Sequence, residues 1–129
     1  MSQAQKRPGD AHSLFRDIYR VRKWGRPSSA CAAVTLPPDS RDIHGAGDGE
    51  CWDVVIQEDR VILTPNGDEL EGIKTETRDI FARRGSLVMN VPELARKVVG
   101  IRRGEHVVAT VYHDRIEYRP ALDALEVSA

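Results

Sequence analysis

The chain has 129 residues, 40% hydrophobic and 30% charged, a balance that fits one compact domain or two small units sharing a core. No apolar run approaches the roughly 20 residues a bilayer-spanning helix needs, and the polar stretch Met1 to His12 lacks the apolar centre of a signal peptide. The net charge of -1 excludes a uniformly basic protein, and two cysteines, Cys31 and Cys51, make a disulfide framework unexpected, so a cytoplasmic location is the expectation.

Residues 1–15 read as a disordered polar arm. Residues 16–26 then carry five positive charges and one negative, whereas 38–72 carry ten negative and two positive. Ala30 to Leu36 is an apolar run ended by Pro37, which reads as a strand because proline cannot continue a ladder. Pro37 to Ser40 starts a short helical turn that Gly45, Gly47 and Gly49 then weaken. Strands are predicted at Cys51 to Ile56 and Arg60 to Thr64, around a turn at Glu58-Asp59. Residues 66–76 look like a linker, and Lys74 to Ala82 adds a strand leading into Gly85.

The pattern then recurs more cleanly. Gly85 to Val91 is a strand closed by Pro92, and Asn90 is a candidate helix cap. Leu94, Ala95, Val98 and Val99 recur at helical spacing up to Gly100. A turn at Arg103-Gly104-Glu105 leads into the β-branched run His106 to Tyr112, a tight turn at His113-Asp114, and the strand Arg115 to Arg119 before Pro120. Residues 121–129 form a short tail.

Placing Pro37 over Pro92, an offset of 55, aligns 34–65 with 89–120 without a gap. Eight of thirty-two positions are identical, including Arg41/Arg96, Gly49/Gly104, Glu50/Glu105, Asp59/Asp114 and Arg60/Arg115, where unrelated segments would share roughly two. Two tandem units follow, 16–65 and 77–120, joined by 66–76.

The order of elements resembles the swapped-hairpin family of AbrB, MazE and SpoVT DNA-binding domains. The resemblance rests on LVMNVP, ELARKVVGI, Arg103-Gly104-Glu105 and the hairpin ending at Pro120; the first unit keeps Val34 to Pro37, Gly49-Glu50 and Arg60 to Pro65 but departs in its glycine-rich helix region. It implies a mostly β fold with short helices, a swapped-hairpin barrel formed from two tandem half-barrels. One chain would then supply a complete barrel, or two chains would exchange halves in a homodimer. A unit of this size buries too little apolar surface alone.

The resemblance further implies a prokaryotic transcription regulator at the nucleoid that binds double-stranded DNA through basic residues of the first strand and its loop. The matching positions are Arg20, Arg22, Lys23 and Arg26 in the first unit, and Arg78, Arg83 and Arg84 in the second. Arginine suits both bidentate contact and counterion release. Arg96, Lys97, Arg102 and Arg103 read at least equally as a solvated face, and Arg41 and Arg96 as partners of nearby carboxylates. His12, His44, His106 and His113 have no metal-ligand spacing and read as surface histidines; no phosphate-binding loop or nucleophile elbow occurs. No enzyme, metal or cofactor is therefore expected. Two alternatives stand beside the regulator. One is an antitoxin, disfavoured because only residues 121–129 remain to hold a toxin; the other is an interaction barrel without DNA binding.

Overall fold

A computed structural model describes residues 13–23 and 32–121, without the side chains of Arg22 and Lys23. The strands are β1 (Phe15–Arg20), β2 (Arg22–Lys23), β3 (Ala32–Thr35), β4 (Cys51–Ile56), β5 (Val61–Thr64), β6 (Lys74–Arg83), β7 (Ser86–Val91), β8 (His106–Val111) and β9 (Ile116–Pro120). Two short helices, α1 (Ser40–Ile43) and α2 (Glu93–Val98), follow β3 and β7. The strands pair antiparallel in the order β1-β8-β9-β5-β4-β6-β7-β3-β2. Only Val21 separates β1 from β2, so these two act as one stave, and the result is a nearly closed barrel of eight.

The duplication is visible in the pairing. β4 and β5 occupy the same places in the first repeat as β8 and β9 in the second, 55 residues on. The leading strands are exchanged: β1 pairs with β8, and residues 74–79 of β6 pair with β4. Each repeat thus lends its first strand to the other's hairpin. The backbone shows the equivalence in detail. Val21 N–H donates to Glu105 O and Gly104 N–H to Val21 O, both at 2.8 Å. Ile80 makes the same pair of bonds with Glu50 (2.7 Å) and Gly49 (2.8 Å). Gly49 and Gly104 sit there with φ of 88° and 86°, a left-handed conformation costly for other residues.

Two cross-strand pairs join residues 55 apart, Ile62↔Glu117 between β5 and β9 and Val34↔Met89 between β3 and β7. The pseudo-twofold axis runs through both. Alternation then sorts the side chains. Val54, Ile56, Val61, Leu63, Val107, Ala109, Val111, Ile116 and Tyr118 point inward with Val34, Leu87, Met89 and Val91, forming one continuous core. Each fully buried large aliphatic contributes about 1.5–3 kcal/mol. The Tyr118 hydroxyl, wholly buried, donates to Thr35 O at 2.6 Å and ties the second repeat's last strand to the first repeat's β3.

On the outer side of the axis lies an ionic cluster. Glu117, 3% exposed, accepts from Arg60 Nη1 and from Arg115 Nε, each at 2.8 Å. Those arginines are repeat equivalents, and each also holds its neighbour, Asp59 or Asp114. The Arg60 hydrogen bond holds the Asp59 carboxyl below its usual range. Arg115 also lies over the Tyr112 ring, 3.9 Å from its centre. The duplicated pair therefore converges on one carboxylate that the first repeat replaces with Ile62.

Several expectations need correction. Asn90 is not a cap; it lies in β7, and α2 is entered from Pro92 without a side-chain cap. His44 is not a surface histidine. Half-buried, it approaches Ser40 Oγ through Nδ1 (2.7 Å) and Tyr112 O through Nε2 (2.6 Å), edge-on to Trp52. It anchors the first repeat's helical turn to the second repeat's hairpin, and burial lowers its pKa from 6.5. His106 and His113 are exposed; His12 lies outside the described residues. The segment 66–76 holds a 3-10 turn at Gly67–Glu69, and β6 starts within it at Lys74, where the sequence predicts a strand.

Candidate nucleic-acid interface

Four paired segments, residues 80–83 of β6 with β7, β3 and β2, carry two hairpins side by side. Because β3 and β7 run antiparallel about the Val34↔Met89 axis, the hairpin ends lie at opposite edges of this sheet. Gly85 marks one end. Ala32, where the other hairpin returns, pairs with Val91, six residues further along β7. At 3.3 Å per residue Gly85 and Ala32 stand about 20 Å apart along the strand direction.

Arg83 and Arg84 lie at the β6–β7 end. Arg83 is exposed on the outer face, opposite Ser86. Arg84 and Gly85 both have positive φ, 51° and 84°, the signature of a two-residue turn whose twist matches the flanking strands. Glycine adopts this freely; for Arg84 it is a strained position. Arg41 Nη2 donates to Gly85 O at 3.4 Å, so Arg41 joins this end and its partner is a carbonyl, not a carboxylate. Arg96 does pair with a carboxylate, Glu93, at 2.7 Å.

At the other end β2 sets Arg22 opposite Ala33 and Lys23 opposite Ala32. Arg26, like Trp24, lies outside the described residues, as do the Arg22 and Lys23 side chains. The two hairpins differ in length. Eight residues separate Lys23 from Ala32, against four between the equivalent Ala82 and Leu87.

The structure alters the correspondence between the basic positions. Matching Val21 to Ile80 by their shared hydrogen bonds makes Arg20 equivalent to Asp79 and Tyr19 to Arg78. Arg78 does not join the hairpin end. It stands opposite Trp52 on the inward side of β6, bonded to Glu76 at 2.5 Å, with Lys74 on the same carboxylate at 2.9 Å. Arg20 is exposed on the outer side of β1, opposite His106.

The exchange of strands brings Arg20 beside a loop that local sequence reading leaves as a solvated face. Val21 is bonded to Gly104 and Glu105, so Arg102 and Arg103, both exposed, flank the β1–β2 junction. At the equivalent pole the loop presents Gly47 and Asp48, and Asp48 Oδ1 accepts from Ala82 N at 2.9 Å. Cys51 replaces His106 and bonds Asp79 at 3.0 Å, which holds the thiol's pKa above its usual value. Only knowledge of which strand crosses to which hairpin brings these residues together.

Among the described residues no group of three His, Cys, Asp or Glu side chains is arranged to hold a metal ion, and no helix is long and apolar enough to cross a membrane. No protein-family model, curated protein or solved structure matches the chain.

Proposed function

We propose that this chain is a sequence-specific DNA-binding regulator of the AbrB/MazE/SpoVT swapped-hairpin type, with the whole barrel contained in one polypeptide. The observation that carries the reading is the disposition of the two hairpins. They leave opposite edges of one sheet about a pseudo-twofold axis, with Arg22 and Lys23 entering one and Arg83 and Arg84 in the other. Two basic ends related in this way match the pseudo-symmetry of a duplex, in which half-sites face a twofold-related reader.

Strand exchange within the chain supports the same reading. It builds both halves into one rigid barrel, so the two ends are held in register without association of two chains. The strain at Arg84 favours a role for its side chain beyond the turn, since glycine or asparagine would form that turn at lower cost. Phosphate contacts would supply most of the affinity, and arginine forks to guanine edges part of the selectivity.

The test is fluorescence anisotropy with a labelled duplex over a salt series, for the wild type and a variant with Arg22, Lys23, Arg83 and Arg84 changed to Ala. Steep loss of wild-type affinity with salt, together with a shallower slope and weaker binding in a folded variant, is the expected result. Absence of wild-type binding at low salt overturns the proposal and leaves the barrel as an interaction module.

A further inference from the structure

Within the DNA-binding reading, on which this inference rests, we infer that the two poles of the barrel are unequal. Duplex DNA is held chiefly where β1 and β2 meet the second repeat's 102–105 loop, and the opposite pole, where Asp48 and Asp79 lie, binds it more weakly. Charge is inverted at equivalent positions of the two poles. Arg20 corresponds to Asp79 across the pseudo-twofold axis, and Arg103 to Asp48. Arg102 corresponds to Gly47, and His106 to Cys51. Glu105 and Glu50 are the same residue in both copies and cancel in the comparison.

The exchange of strands decides what each pole contains. Had each first strand stayed with its own repeat, the basic 16–26 segment would lie against the acidic 47–50 loop. Instead Val21 docks on Gly104 and Glu105, and basic strand meets basic loop. Arg20, Arg102 and Arg103 are all exposed there, beside a strand that carries Arg22 and Lys23. At the other pole Ile80 docks on Gly49 and Glu50, and the exposed Asp48 and Asp79 lie along the strand that leads to Arg83 and Arg84. A polyanion meets a concentrated positive field at one pole and a mixed one at the other. Arg102 and Arg103 are thereby assigned to the DNA surface, and the preferred site has one strong and one weak half.

The experiment compares three variants with wild type by duplex anisotropy over a salt series, with thermal melts to verify folding. Arg102→Ala/Arg103→Ala is expected to weaken binding about tenfold or more and to lower the salt slope by up to about 2. Arg83→Ala/Arg84→Ala is expected to cost less than about threefold, with a slope change below about 1. Asp79→Arg places at the weak pole what Arg20 supplies at the strong one. It is expected to raise affinity several-fold and steepen the slope by about 1. Asp79 is used rather than Asp48 because the Asp48 carboxylate anchors the Ala82 amide. Equal losses from the two double variants, or no gain from Asp79→Arg, overturn the inequality and leave the DNA-binding reading standing. A wild type that binds no duplex at low salt overturns both.

Discussion

Glu117 offers a sharp test of how the two repeats are joined. Its carboxylate is 3% exposed and accepts from two arginines that the duplication placed symmetrically, while Ile62 occupies the equivalent site. Glu117→Gln keeps the size of the side chain and removes its charge. Arg115, 4% exposed, would then lose Glu117 and keep the exposed Asp114, and Arg60 would keep Asp59. Removing one member of a buried ion pair costs about 3–5 kcal/mol; the two remaining carboxylates place this case near about 3 kcal/mol. In urea, at about 1.5 kcal/mol per molar, that moves the unfolding midpoint down by about 2 M. The companion Arg115→Met/Glu117→Ile removes charge from both sides and restores the apolar pairing across the axis. It is expected to fall within about 1 kcal/mol of wild type, because a buried ion pair roughly balances its own desolvation. A midpoint for Glu117→Gln within about 0.5 M of wild type would refute the view that this cluster locks β5 to β9.

Three further outcomes follow from the same geometry. Tyr118→Phe removes the hydroxyl that reaches Thr35 O and should cost about 1–2 kcal/mol in urea unfolding, with β3 and β7 amides exchanging faster. Burial keeps the His44 pKa below 6.5, so the folded state prefers the neutral ring; the stability this contributes is complete above pH 6.5 and is lost as pH falls toward the lowered native value. The melting-temperature gap between wild type and His44→Asn should therefore narrow on acidification, and a gap that widens would contradict the assignment. Arg84→Asn relieves a left-handed arginine and should stabilise the fold by about 1 kcal/mol, a gain that thermal melting would register.

Much of the barrel is legible residue by residue. Cys51 to Ile56 is a strand as predicted, and the other strands predicted from Arg60 onward differ by one residue at one or both ends, since proline, glycine and β-branched runs act locally; β1 and β2 have no predicted bounds. The repeat offset of 55 reappears in both pseudo-twofold pairs, Ile62↔Glu117 and Val34↔Met89, though their pairing is seen only in the structure. The interface is less legible because its members come from opposite repeats. Arg78 looks equivalent to the hairpin arginines in a local reading, yet strand alternation turns it inward against Glu76. Arg102 and Arg103 look like an isolated basic run until Val21 is seen docked on Gly104 and Glu105. His44 and Glu117 acquire their roles from partners 68 and 57 residues away, Tyr112 and Arg60, which no local pattern announces.

The claim that this barrel presents two twofold-related basic ends to duplex DNA is tested most directly by following backbone amides in an isotope-labelled sample as duplex is added. The expected result is shifts at Val21, Gly104 and Glu105 and at Arg84 and Gly85, larger in the first group, with the amides of Ile62 and Glu117, at the opposite end of the axis, unmoved. Shifts centred on Ile62 and Glu117, or none at any ratio of duplex to protein, would contradict it.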